Sequence, residues 1–145
     1  HSKRVARWHG GCLDVSTAGD YMRFCLMLAG QGAFAGQRLL KTETVEAMTR
    51  NQLPERVGEI TRLPEGRGFG LGFAVRVRKL AGSPAPLGEY EWLGGAGTEF
   101  FVAPSEELVV ITMSQQMPMI SLKSMLRPLV YDAIVERAAI NKSSQ

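Results

Sequence analysis

Apolar residues recur along this chain with two different periods, and the change of period divides it. In the first part Tyr21, Phe24, Cys25 and Leu28 fall at i, i+3, i+4 and i+7, which is one face of a helix. Met22, Leu26 and Ala29 widen that face. Ser16 or Thr17 is a suitable N-cap, Asp20 stands three residues after Thr17 as in a capping box, and Gly30 and Gly32 end the helix. Thr42 to Thr49 predicts a second, shorter helix, with Glu43 favourable to the dipole of its first turn. From Phe69 the period falls to two: Phe69, Leu71, Phe73, Val75 and Val77 alternate with Gly70, Gly72, Ala74, Arg76 and Arg78, which predicts one strand with a buried face. Further strands are predicted at about 89–94, 98–103 and 108–114, with a loop at 81–88 and a tight turn from Pro104 to Glu107. Connections this short imply an antiparallel meander. Leu129, Val130, Ala133, Ile134 and Ala138 form the apolar stripe of a last helix that Pro128 starts or interrupts. Residues 1–11 read as irregular, 32–40 as a loop, 52–68 as a polar surface linker, 114–121 as an irregular link and 141–145 as a frayed tail. The predicted fold class is α+β: an antiparallel sheet of about four strands with a C-terminal helix on one face and two N-terminal helices.

Composition narrows the function classes without choosing one. The chain has 145 residues, 45% hydrophobic and 21% charged, the size of one domain or part of one. Its net charge of +3 is small and its basic residues are scattered, so nucleic-acid and anionic-membrane partners are not expected. No apolar run approaches the roughly 20 residues of a membrane span. Two Cys and two His without metal-ligand spacing give no metal site, and no cofactor is called for. Cys25, on an apolar helix face, reads as a reduced buried thiol. The chain begins with His1 rather than Met, so the natural start is expected upstream and the compartment stays open.

The chemistry concentrates in Tyr90 to Pro104, where Gly94, Gly95 and Gly97 follow Trp92 within five positions between two strand-like runs. Glycine in a strand marks a close approach by a ligand or another backbone, and such an edge can offer N–H groups to a developing oxyanion. A Gly-rich hairpin turn without a ligand is the plainer reading of these residues. A nucleophile is missing. The sequence contains no Ser-x-x-Lys, no Gly-x-Ser-x-Gly, no Tyr-x-Asn, no P-loop and no His-Glu-x-x-His. Glu89, Glu91 and Glu99 flank the stretch, and alternating carboxylates of this kind are expected to be solvated rather than a glycosidase-like pair. His9 beside Trp8 could serve as a base, but nothing near it in sequence resembles its nucleophile.

Several motifs, in order, carry a resemblance. Gly-Gly-Cys-Leu-Asp-Val-Ser-Thr-Ala-Gly-Asp-Tyr-Met-Arg-Phe (10–24), Leu-Leu (39–40), Thr-Val-Glu-Ala-Met-Thr (44–49) and Gly-Phe-Gly-Leu-Gly-Phe (68–73) resemble segments of class C β-lactamase-related serine hydrolases. The run 88–104 is similar to the motif-bearing strand pair of the carboxylesterase branch, and 108–115 and 129–134 resemble its last strand and closing helix. The match covers roughly residues 10 to 139.

The resemblance implies a β-lactamase/transpeptidase-like fold, of which this chain, 1–145, is a single partial domain: a helical segment and linker (10–68), then the sheet and closing helix (69–139). The family's third motif, Lys-Thr-Gly in β-lactamases and commonly Trp-Gly-Gly in the esterases, corresponds to Trp92, Leu93 and Gly94, which would bind substrate. Leu93 departs from both patterns. The Gly95 N–H would be half of the oxyanion hole. The nucleophilic Ser, its Lys and the Tyr of the second motif lie upstream in family members. The implied function is the C-terminal part of a serine hydrolase acting on small ester or amide (or β-lactam) substrates through an acyl-enzyme, inactive in isolation. The alternative is an inactive binding or assembly module derived from that fold. A sheet with one covering helix is expected to need a complementary N-terminal portion, or a second copy, over its exposed face.

Overall fold

The computed structural model describes residues 16–54, 63–116 and 120–143, with side chains described up to Val135 in the last helix. The expectations for residues 1–15, including Trp8, His9 and Cys12, and those for 55–62, 117–119, 144–145 and the Ala138 side chain lie outside the described residues.

The first helix, α1 (Ala18–Ala29), starts where the capping pattern places it. Thr17 is extended, its Oγ1 accepts the Asp20 N–H at 3.1 Å, and the same hydroxyl donates to Asp20 Oδ2 at 3.0 Å. At the other end the Gly32 N–H reaches back to the Met27 carbonyl at 2.9 Å, with Gln31 and Gly32 both at positive φ. The expected loop over 32–40 is instead a small hairpin, β1 (Ala33–Phe34) and β2 (Gln37–Arg38). Ala35 and Gly36 take φ of 50° and 79°, the two left-handed positions such a tight turn needs. Ala35 hid that turn, because alanine rarely adopts it. Helix α2 (Thr42–Thr49) has the predicted bounds and buries Val45.

The main sheet has five strands in the order β3 (Arg67–Phe69), β4 (Ala74–Arg76), β5 (Tyr90–Leu93), β6 (Glu99–Ala103) and β7 (Leu108–Thr112), all antiparallel neighbours. The meander is as expected, but the single strand predicted from Phe69 to Arg78 is a hairpin, with Phe69 opposite Ala74 and Gly68 opposite Val75. The glycines that looked like a bare strand face make the turn. Gly72 has φ 103°, the Gly70 N–H closes onto the Phe73 carbonyl at 2.8 Å, and a Cβ on Gly70 would overlap the Met48 carbonyl oxygen. Leu71 is therefore 56% exposed, although the alternation placed it in the core.

The outer edge of β3 is sheathed by the segment after α2. Asn51 Oδ1 accepts the Phe69 N–H at 3.0 Å, and the Gln52 N–H donates to the Phe69 carbonyl at 2.8 Å. β7 ends the order on the other side.

Alternation along the strands gives the sheet two covered faces. Phe73, Val75, Tyr90, Phe100 and Val102 pack with Cys25, Met27 and Leu28 of α1 and Val45 of α2. The opposite side chains of β6, Phe101 and Ala103, pack with Tyr131 and Ile134 of the last helix, α3 (Leu122–Ser143). Helices thus lie on both sides of the sheet.

Helix α3 departs from expectation in its start, its end and its buried face. It begins six residues before Pro128, which lies inside it, and continues to Ser143 through what was expected to be a frayed tail. Its start is set by Ser121, whose Oγ accepts the Ser124 N–H at 3.2 Å. It buries the predicted apolar stripe only in part: Ile134 packs on the sheet, but Leu129 is 64% exposed. The side chains it turns to the sheet are Lys123, Arg127 and Tyr131, spaced four residues apart, followed by Ile134.

That polar stripe meets carboxylates. Glu89, Glu91 and Glu99, expected to be solvated, are all buried, and so is Arg67, which had been placed in a surface linker. One Arg67 amino group lies 3.0 Å from both Glu89 Oε1 and Glu91 Oε2. Lys123 Nζ is 3.2 Å from Glu91, and Arg127 bridges Glu91 and Glu89, the latter at 3.2 Å. The Tyr131 hydroxyl donates to Glu89 Oε2 at 2.7 Å. Glu99 accepts from the Ser121 hydroxyl at 2.7 Å and from the Lys123 N–H at 3.0 Å. The carboxylates were misread because sequence alternation shows which residues share a face, and not that this face is covered.

Replacing Glu89 by Ala leaves Arg67 and Arg127 facing one fewer carboxylate in a buried site. The expected loss is about 3–5 kcal/mol in urea denaturation. Burial pushes the Glu91 carboxyl up, but Arg127, Lys123 and Arg67 together outweigh it and hold it below its ordinary value. The unfolded chain then binds more protons than the folded one near that range, so this contribution is present above pH about 4–5 and is lost as the pH falls through the lowered value. Denaturation midpoints measured from pH 6 down to pH 3 are expected to fall less steeply for Glu91→Gln than for the unsubstituted chain.

Candidate active site

The end of the β5–β6 hairpin opens beside a cavity of about 520 Å³. Trp92, Leu93 and Gly94 line it, so the three residues matched to the family's third motif come together at one wall. Trp92 packs edge-on against Phe69, with ring centroids 4.9 Å apart, and stays 40% exposed. Ala96, Thr98 and Phe100 continue the wall, Ser16, Thr17 and Tyr21 come from the start of α1, and Met113 and Gln115 from the segment after β7.

Gly95 lies at the exposed tip of the loop and is not itself in the cavity lining. Among the described residues its N–H has no backbone partner, and a Cβ built on it would meet nothing within 4 Å. Its neighbours are held. The Gly94 N–H donates to the Thr98 carbonyl at 2.6 Å and the Gly97 N–H to the Gly94 carbonyl at 3.0 Å. Ser114 Oγ donates to the Gly97 carbonyl at 2.8 Å. Gly97 has φ 92°, and a Cβ there would overlap Ser114 Oγ, so this position requires glycine on two counts.

The electrostatics are simple. Among the described residues the lining holds one ionisable carboxylate, Glu99, and no Lys or Arg. Glu99 is already engaged by Ser121 and the Lys123 N–H, and Glu89 and Glu91 are tied to cations, so none of the three is arranged as a glycosidase-like acid or base. What the wall can supply is apolar surface from Trp92, Leu93, Phe100 and Met113, with the backbone N–H of Gly95 in the adjoining loop. The contributions of Thr17, Tyr21, Met113 and Gln115 were not foreseen. Thr17 and Tyr21 read as a cap and a core residue, and only the packing of α1 against the sheet brings them to the loop.

Compared with known proteins, residues 3–133 match the beta-lactamase family model, so the chain belongs to the beta-lactamase family. It is similar to Protein Rv1367c of Mycobacterium tuberculosis, 36% identical over 115 residues that make up 73% of this chain and 28% of that protein. The chain thus spans little more than a quarter of the length of the curated relatives it matches. Among solved structures it resembles a mutant of simvastatin synthase (LovD) from Aspergillus terreus, with a TM-score of 0.69, 20% identity, and coverage of 83% of this chain and 34% of that one. It also resembles EstCE1, described as a hydrolase with promiscuous acyltransferase activity, with a TM-score of 0.59, 26% identity, and coverage of 81% and 29%. The sheet and helices described above therefore belong to the β-lactamase/transpeptidase-like fold.

The chain's three tyrosines are Tyr21, Tyr90 and Tyr131. Burial, with Cys25 adding to it, pushes the Tyr21 phenol up to about 12 and raises Tyr90 as well. Burial, together with the hydrogen bond to Glu89, raises Tyr131. No tyrosine is then a base near neutrality. An ultraviolet titration of the folded protein is expected to show almost no tyrosinate between pH 9 and 11, the range in which a free phenol (pKa about 10) ionises, and the full signal when the protein is unfolded in urea.

Proposed function

We propose that this chain is the C-terminal part of a serine acyl-transfer enzyme of the esterase type, supplying the third-motif wall and one donor of the oxyanion hole. The observation that carries the reading is the convergence of Trp92, Leu93 and Gly94 on one cavity wall, with the loop that bears the Gly95 N–H directly beside it. Family membership and the hydrolase and promiscuous acyltransferase activity of EstCE1 support it.

In this reading a serine hydroxyl from a complementary N-terminal portion attacks the carbonyl carbon of a small ester or amide. The carbonyl oxygen takes up the negative charge and is stabilised by the Gly95 N–H and the serine's own N–H. The intermediate collapses, the alcohol or amine leaves with a proton, and the acyl group stays on the serine. Water or a second alcohol then takes the acyl group and regenerates the hydroxyl. Trp92 and Leu93 wall the acyl pocket. Among the described residues the lining offers no fixed cation to a substrate carboxylate, which favours uncharged esters over β-lactams. The partner portion would meet the sheet at β7, the strand that ends the order. A second copy of the chain is the other candidate for that position.

Gly95 provides the test, because its side-chain position is empty and its φ is not left-handed. With the complementary portion present, Gly95→Ala keeps the N–H and is expected to leave ester hydrolysis within about twofold. Gly95→Pro removes the N–H and is expected to lower kcat by roughly 10²–10³ with little change in KM. Equal activity of the two variants would remove Gly95 from the oxyanion hole. If a fluorophosphonate probe forms no adduct on either portion, the chain is a binding module instead.

A further inference from the structure

We propose that Ser114 is the positioning residue of the 94–98 loop: its hydroxyl, donated to the Gly97 carbonyl, sets the loop conformation in which Gly95 is presented. This rests on the Gly95 reading above and assigns a role to a residue from a different strand connection, two positions beyond the end of β7.

The argument starts from what does not hold Gly95. Its N–H has no backbone partner among the described residues, it has no side chain, and its surroundings are open. Its direction is therefore set through its neighbours in the chain. The bonds from Gly94 to Thr98 and from Gly97 to Gly94 close the loop on itself, and do not fix it to the rest of the molecule. Two hydrogen bonds among the described residues do so. One is the Gln116 N–H to the Ala96 carbonyl at 3.3 Å, at the long end of the useful range. The other is Ser114 Oγ to the Gly97 carbonyl at 2.8 Å, from a half-buried hydroxyl. The absence of a Cβ on Gly97 leaves the space that Ser114 Oγ occupies. The loop and the segment after β7 are thus fitted to each other at this contact, and the tether lies two residues from the N–H it would orient.

The test is amide hydrogen exchange on the 145-residue chain with two substitutions of nearly equal shape, Ser114→Thr, which keeps the donor, and Ser114→Val, which does not. Gly94 and Gly97 amides are expected to exchange roughly fivefold to tenfold faster in the Val variant than in the Thr variant, while the amides of β6 around Phe101 exchange alike in both. Equal exchange at Gly94 and Gly97 in the two variants would overturn the proposal. So would an increase in Val that β6 shares in the same ratio, because Ser114 would then only support the fold as a whole. If the added methyl disrupts folding, Ser114→Ala against the unsubstituted chain makes the same comparison. No substrate is used, so the result is independent of the Gly95 kinetics: loop exchange can support the tether even if Gly95→Pro leaves catalysis intact.

Discussion

Neutralising three buried carboxylates is the constraint on which the α3 side of the sheet depends. Taking a charge out of water costs several kcal/mol per ion, and a buried pair roughly offsets that cost rather than adding a large surplus. The network is therefore poor as glue and good as a gauge of position. Lys123, Arg127 and Tyr131 sit at i, i+4 and i+8, and each reaches a carboxylate of β5, its preceding residue or β6. A slip of α3 by one turn, about 5.4 Å, would exchange their partners, bringing one of Lys123 and Tyr131 to the place of Arg127, and would leave the other end of the stripe without its carboxylate. The apolar contacts on this face, chiefly Phe101 and Ala103 with Tyr131 and Ile134, would tolerate such a slip far better, since they are not directional. The Arg127 guanidinium also lies over the Phe101 ring, 4.8 Å from its centroid, so the polar and apolar parts share one geometry.

The same clamp reaches the candidate site from behind. Glu91 on β5 and Glu99 on β6 stand on either side of the 94–98 loop, and both are fixed to the first turns of α3. From the other face, Tyr21 packs edge-on against Phe100 at 5.3 Å, which carries the start of α1 to the cavity. The hairpin is thus rigid at its base on both faces, while its tip is left to short-range tethers. A site built this way can have an exact floor and an adjustable rim.

How much of this could be read in the sequence depended on the range of the interaction. The ends of α1 were legible because its Thr17 cap and its glycine stop act within a few residues. So was the meander, since short connections leave successive strands little choice but to pair with their neighbours. The split of the first strand was not legible, because Gly70 fits a strand until the Met48 carbonyl is brought against it. The buried face of α3 was misread for a similar reason. Lys123 and Arg127 look like a solvated stripe unless Glu89, Glu91 and Glu99 are known to face them. Arg67 was lost in a polar linker because its partners stand more than twenty residues away. Long-range charge complementarity leaves no local pattern.

The two edges of the sheet differ, and that difference limits how such sheets can add to one another. The β3 edge is closed by Asn51 and the backbone of Gln52, whereas β7 ends the order with no strand beyond it among the described residues. A sheet with one closed end and one open end acts as a chain stopper. Two of them can join open edge to open edge about a two-fold axis, and the resulting pair then presents only closed ends. For the described sheet taken by itself, edge-to-edge growth would stop at two rather than continue into a fibre, however apolar the Leu108–Thr112 strand is.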